Sequence, residues 1–474
     1  MKLDRDLWAL SARDLAQGYA QADFTPVDVF ESCWLRLEQV NPLINAVVFS
    51  DRAGGFYAAA ASAARWEQGK PLSPLDGVPV TVKDNINAAG MPTTWGSRLF
   101  ADFVPTVDEL PVAKIRQAGA VILGKSNVPE FTLHGYTDNI VFGTTFNPWD
   151  LSLTPGGSSG GAVAAVAAGI GPLALGTDGG GSIRRPASHT GLVGLKPSVG
   201  RVPRCDGLPI ILHDCEIIGP IARTVADIEV AMQIMGVSDA RDPLSQRYAG
   251  KPYQPIESRK PCRILYIETF AHSPVDPEIA KSVAEAADHL AQLGHEVEHC
   301  ANFTAADPIN EHVWPVIGQS GLAWLLQSHP GWENRINPTL VDMARAGGKL
   351  AASQYVNALD LITKVKRDLA LLFERYDALM TPTAAALPWP AGDIYPPRIA
   401  GCDVGPRGHA IFTAFVNATG LPALNLPCRP APSGLPIGFQ LVAPQGADEF
   451  LCSIGREFES AHPWADRWPS LSAD

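Results

Sequence analysis

The chain has 474 residues, 46% of them hydrophobic and 18% charged, a composition that supplies a large core and excludes an intrinsically disordered polymer. Its 37 basic and 49 acidic residues give a formal net charge of -12, which disfavours nucleic acid and anionic membranes as partners. The eight cysteines are scattered with no C-x-x-C pair, so they read as free thiols of a reduced, cytoplasmic protein and build no Cys-His metal pattern.

The opening run Met1-Lys2-Leu3-Asp4-Arg5-Asp6 is too charged for a secretory leader. Thr25-Pro26-Val27-Asp28 predicts a helix start, with a hydroxyl cap, a proline in the first turn and an acidic residue beside free amide donors. Phe30, Trp34, Leu37 and Val40 then recur at helical spacing, and Asn41-Pro42 is expected to end the run. Leu75 to Lys83 reads as a turn and a short strand, with Val80 and Val82 on one face and Thr81 and Lys83 on the other. Lys114 to Ala118 predict a helix, followed by a turn and a buried strand over Gly119 to Gly124.

The weakly polar run from Gly160 to Gly176 covers 17 residues, short of the ~20 that span a bilayer. It predicts a close-packed helix over Ala162 to Ala168 and a strand at Leu173 to Gly176. Thr224 and Asp276-Pro277 mark further helix starts, the second helix ending near Gly294; Cys262 to Ile267, Asp377 to Thr383 and Ile437 to Val442 have strand character. The region around 300–370 carries Trp314, Trp324 and Trp332 with few clean periodicities. It reads as a helical elaboration that either shapes a substrate cavity or packs on the outside. Helices alternating with strands, without repeats or a low-complexity linker, indicate an α/β fold in one domain over 1–474.

Chemistry concentrates in two glycine-serine runs, Pro155-Gly156-Gly157-Ser158-Ser159-Gly160-Gly161 and Gly176-Thr177-Asp178-Gly179-Gly180-Gly181-Ser182-Ile183-Arg184-Arg185-Pro186. Paired glycines expose backbone amides, so a serine among them sits beside donors for an oxyanion. No G-x-x-x-x-G-K-[ST] string supports a P-loop. The G-x-S-x-G matches around Ser158 and Ser159 lack a preceding strand, because Pro148, Pro155 and polar residues fill the approach. A Ser-His-Asp elbow using His189 or His213 is therefore disfavoured. Lys83, at a strand end, becomes a base only if desolvation or nearby positive charge keeps its amine neutral.

These runs, with Leu75 to Asp84, Gly191 to Pro197, Gly219 to Thr224, Gly420-Leu421-Pro422-Ala423 and Leu435 to Val442, resemble the amidase signature family over most of the chain. The resemblance implies a large mixed, twisted central sheet flanked by helices, with a catalytic core over 75–225. It implies a Lys-Ser-Ser system in which Lys83 is the base, Ser158 the bridge and Ser182 the nucleophile, with a cis peptide before Ser158. It further implies an oxyanion hole from backbone donors at Gly179, Gly180, Gly181 and Ser182. Gly157, Ser159, Asp178 and Arg184 are supporting candidates, the last two as a charge-assisted brace. Where the family frequently carries Asp-Thr-Gly or Asp-Ile-Gly, this chain has Asp178-Gly179-Gly180, which keeps the donor and loses a side chain that fixes the loop.

The activity so implied is hydrolysis of a small-molecule carboxamide through an acyl-serine, with no cofactor and no metal. A stand-alone enzyme is favoured over the amidase subunit of a glutamine-dependent tRNA amidotransferase. The region Cys205 to Ile218 lacks that subunit's Tyr-Gly-x-x-x-x-x-x-Ser-x-Asp arrangement. An inactive binding protein is the remaining alternative, opposed by the intact Lys83, Ser158 and Ser182. A homodimer is compatible with the resemblance. His295-Glu296-Val297-Glu298-His299 matches H-E-x-x-H, but Gly294 closes the preceding helix and the alternation reads as a strand. Four strand steps set the histidines roughly 13 Å apart, too far to share zinc.

Overall fold

All five residues of Pro79–Lys83 are buried, Thr81 and Lys83 as fully as the valines, because this strand lies inside a sheet covered on both faces. The computed structural model describes residues 6–258 and 261–471; Met1 to Arg5, which carry most of the charged opening run, lie outside them. The strands in chain order are β1 (Val47–Ser50), β2 (Pro79–Lys83), β3 (Val121–Ser126), β4 (Leu173–Asp178), β5 (Val193–Lys196), β6 (Ile217–Ala222), β7 (Arg263–Ile267), β8 (Glu296–Cys300), β9 (Ala378–Pro382), β10 (Arg398–Ile399), β11 (Cys402–Asp403), β12 (Ala423–Pro427) and β13 (Gly438–Val442). The short β10 and β11 pair with each other, and the others form one 11-stranded sheet in the order β1-β3-β2-β4-β6-β5-β12-β13-β9-β7-β8. The sheet is mixed: β2 runs parallel to β3 and β4, while β4 meets β6 antiparallel.

One apolar core packs helices Pro26–Ile44, Val225–Met235 and Pro277–Gln292 onto the sheet. A second lies under Trp314–Leu326, Pro338–Gly347 and Ala352–Leu372, so the 300–370 region is helical. Among the described residues no helix is long and apolar enough to cross a membrane.

The Thr25 start is a capping box, with Asp28 N–H donating to Thr25 Oγ1 at 3.2 Å and Thr25 N–H to the Asp28 carboxylate at 2.8 Å. Its expected end is wrong: the helix runs through Pro42 to Ile44 and closes on Asn45 in the left-handed region. A proline so near the last turn forfeits little, and the Asn41 side chain turns the chain out by accepting from Ala46 and Val47 N–H at 2.9 and 2.8 Å. The H-E-x-x-H segment is the edge strand β8, entered directly from His295. Its histidines engage different partners, His295 accepting from Cys262 N–H at 3.3 Å and His299 lying 3.4 Å from Glu268.

Candidate active site

Parallel pairing of β2 with β4 brings their carboxyl ends together, the position where open α/β sheets gather ligands. Lys83 ends β2, and Thr177 and Asp178 end β4. Ser158 and Ser159 lie just ahead of helix Gly160–Ala167, whose eight buried residues are glycine, alanine and valine. A Cβ on Gly161 would lie 2.2 Å from the Asn127 nitrogen, so the small side chains let this helix sit against the loop after β3. The Gly157–Ser158 peptide is cis. Ser182 follows the glycine loop after β4, ahead of helix Arg184–Thr190.

This topology joins Lys83 to Ser158. Lys83 Nζ lies 2.8 Å from Ser158 Oγ, 2.8 Å from Thr177 Oγ1 and 3.2 Å from the Thr177 carbonyl. Lys83 is 0% exposed and Ser158 1%. Burial lowers the Lys83 ammonium to about 7; Glu216 and Asp178 oppose the shift and Arg204 adds to it. The lysine thus has the neutral form within reach near neutral pH. Ser182 retains some exposure, 7%, and its carbonyl accepts from the Ser159 N–H at 3.1 Å. That bond holds the two serine loops together; the hydroxyls of Ser158 and Ser182 are not hydrogen-bonded to each other. Ser159 Oγ donates to the Thr177 carbonyl at 3.2 Å.

Asp178 organises the glycine loop. Its carboxylate accepts from Gly181 N–H at 2.6 Å and Ile183 N–H at 3.1 Å. Arg184 meets it through Nε and NH2, both at 3.0 Å. Burial alone would raise the Asp178 carboxyl, but the Arg184 guanidinium and the hydrogen bonds from Arg184 and Asn417 hold it far below the carboxylate range. Arg184 continues to Gln440 on β13 at 2.8 Å and to Asn417 at 2.6 Å. The Gly181 N–H is therefore committed to Asp178, whereas those of Gly179, Gly180 and Ser182 have no acceptor among the described residues.

The missing side chain at Gly179 has a physical counterpart: a Cβ there would lie 2.5 Å from Leu212 Cδ1. Leu212 fills the wall that a threonine or isoleucine would occupy. At Gly180 a Cβ would meet the Trp314 ring at 2.4 Å, so Trp314 borders the loop, while Trp324 is 53% exposed. Sequence reasoning missed Thr177, Asn417, Thr413 and Arg185. Thr177 was legible as the residue beside Asp178; Asn417 and Thr413 reach the loop from more than two hundred residues away and carry no local signature.

The family model described as Amidase matches residues 28–452. An acylamidase of Rhodococcus erythropolis is 34% identical over 484 residues, covering 99% of each chain. A subunit of the glutamyl-tRNA(Gln) amidotransferase of Picosynechococcus sp. is 33% identical over 488 residues, 97% of this chain and 99% of the relative. A bacterial aryl acylamidase of the amidase signature family superposes with a TM-score of 0.88 at 30% identity, covering 96% of this chain and 97% of that one. A 6-aminohexanoate cyclic dimer hydrolase superposes with a TM-score of 0.87 at 28% identity, covering 98% and 99%. On this family match and these full-length relatives, the chain belongs to the amidase signature family and is a carboxamide-hydrolysing enzyme that works through a serine-bound acyl intermediate.

Proposed function

We propose that Ser182 is the nucleophile, Ser158 the proton relay and Lys83 the base of a stand-alone amidase acting on small-molecule carboxamides. Ser182 Oγ attacks the carbonyl carbon and passes its proton to Ser158, whose own proton moves to neutral Lys83 Nζ. The N–H groups of Gly179, Gly180 and Ser182 stabilise the oxyanion. The Gly181 N–H supports them indirectly, through its bond to Asp178. The relay then reverses: Lys83 returns a proton through Ser158 to the leaving nitrogen, the C–N bond breaks, and ammonia or an amine departs. Water attacks the acyl-Ser182 ester by the same relay and releases a carboxylate. Esters of matching shape are expected to react as well.

The observation that carries this reading is the 2.8 Å contact between buried Lys83 and Ser158 beneath the loop that presents Ser182. Gly157, Ser159, Asp178 and Arg184 act by holding that loop. The eight free thiols support a cytoplasmic setting, and every group invoked comes from one chain, so a homodimer would add nothing to the chemistry. The relatives named as amidotransferase subunits keep one alternative open, a glutaminase that works only with partner subunits. Turnover of an amide, ester, hydrazide and glutamine panel by the isolated chain, paired with Ser182→Ala and mass detection of acyl-Ser182, tests both. Partner-free turnover lost in Ser182→Ala supports the proposal; near-normal turnover in that folded variant would end it.

A further inference from the structure

Beside the glycine loop lies a group of basic side chains that take no part in the proton relay. Arg185 is 4% exposed; its NH1 donates to the Gly180 carbonyl at 2.7 Å and to Thr413 Oγ1 at 3.1 Å, while its Nε has no partner. Arg407 is half-buried as a residue, but its Nε and NH2 are inaccessible and unpartnered. His409 is 4% exposed, and neither of its ring nitrogens has a partner. Among the described residues neither Arg185 nor Arg407 forms an ion pair, and the nearby Asp178 is taken by Arg184.

Contacts fix this group against both serine loops. Arg407 Cζ sits 5.3 Å from the centre of the Trp314 ring, and the same ring covers Gly180, two residues before Ser182. A Cβ on Gly181 would lie 3.0 Å from Arg185 NH1. On the other side, a Cβ on Gly135 would lie 2.5 Å from His409 Nε2, and Gly135 itself abuts Gly157, which precedes Ser158. The cluster therefore borders the reaction centre and is bounded by an indole wall.

Desolvation, then their mutual repulsion, lower Arg185 to about 9, and burial lowers Arg407 to about 10. Both stay charged at neutral pH. His409 is pushed down by burial and by the two arginines, so it stays neutral and offers one N–H. Arg185 feels only the Asp178 carboxylate that Arg184 already holds, and Arg407 has two sealed nitrogens and no ion pair; such cations are costly, and that cost is offset when a ligand supplies the anion. A guanidinium fork matches the plane of a carboxylate.

We propose that Arg407, with Arg185 and His409, forms a subsite for a second, unreacting carboxylate on the substrate, so that the amides this enzyme prefers are anionic ones. This rests on the amidase reading and adds the substrate class to it. The carboxylate anchors the substrate against Trp314 while the amide carbonyl reaches Ser182, which converts anion binding into positioning.

The test compares pairs matched carbon for carbon that differ in charge: succinamate with butyramide on the acyl side, and N-acetylglycine with N-ethylacetamide on the amine side. Wild type is expected to favour the anionic member of at least one pair in kcat/KM. Arg407→Gln should reduce that anionic-to-neutral ratio on the order of 100-fold, chiefly through KM, and Arg407→Lys should restore part of it. Calorimetric binding of succinate to Ser182→Ala, weakened by the same change at Arg407, reads the subsite without turnover. Loss of all amide hydrolysis with succinate binding intact would remove the amidase reading and leave the subsite. No preference in either pair, or an unchanged ratio in folded Arg407→Gln, would overturn the subsite.

Discussion

Thr177 accepts from Lys83 at two atoms, its hydroxyl at 2.8 Å and its carbonyl at 3.2 Å. With Ser158 Oγ at 2.8 Å, the three protons of a charged ammonium have three acceptors. A neutral amine has two protons and a lone pair, so one hydroxyl must turn to donate; the carbonyl cannot. Ser158 and Thr177 compete for that role, and Asn85 holds Thr177 by donating to its hydroxyl at 3.2 Å.

Replacing Thr177 with Val removes an acceptor that favours the charged lysine. The acid limb of the rate profile should move down by about one pH unit, with kcat reduced on the order of 10-fold. Thr177→Ser should restore both. An unmoved limb in a folded Thr177→Val enzyme would separate Thr177 from the titration of Lys83.

The base must start neutral, and Lys83 lies at about 7, well under its ordinary 10.5. From pH 5 upward, kcat/KM should climb about tenfold per unit and flatten above the lysine value. Stability should follow the same group. The unfolded chain holds the extra proton between the two values, so the cost of burying Lys83 is full below about 7 and fades as pH rises toward 10.5. Lys83→Met should abolish the rising limb along with activity, a loss on the order of 10³-fold or more, and Ser158→Ala should match it. Pre-steady-state acylation and urea melts across pH measure the two effects.

Arg184 and Asp178 are both 0% exposed. Arg184→Met leaves that carboxylate buried without its counter-charge and should cost about 3–5 kcal/mol, read as a lower urea midpoint. Asp178→Asn keeps an amide oxygen for the Gly181 N–H but leaves buried Arg184 without its counter-charge, so it should lower the urea midpoint by a similar amount and reduce kcat as well.

Gly179→Thr places its Cβ against Leu212 Cδ1 and should destabilise by about 1–3 kcal/mol. Leu212→Ala opens the wall and should return part of that loss in the double variant. Equal melting of Gly179→Thr and wild type would mean that the wall yields freely.

Much of this was legible because it is written locally. The Thr25 cap, the β2 turn and the glycine-serine runs each announce themselves within ten residues, and short-range rules read them well. Pro42 misled because a proline rule knows nothing of the Asn41 side chain that finishes the turn. Arg184 and Asp178 could be paired from the sequence, six residues apart, but Gln440 and Asn417 could not, since nothing near them advertises a partner on the far side of the sheet. Arg407 was invisible for the same reason: its meaning lies in the absence of a neighbouring carboxylate, a property of space and not of spacing.

The 2.8 Å reach from Arg184 to Gln440 crosses 256 residues of chain. During synthesis, the nucleophile's loop emerges long before its anchor is made. A nascent chain halted ahead of β13 has Lys83, Ser158, Ser182 and even Asn417 yet lacks the Gln440 anchor, so full hydrolysis should appear only when the last strand clears the ribosome. The enzyme should accordingly fall short of full activity while it is being built, and a fragment that ends before the Gln440 anchor should not serve as a smaller version of it.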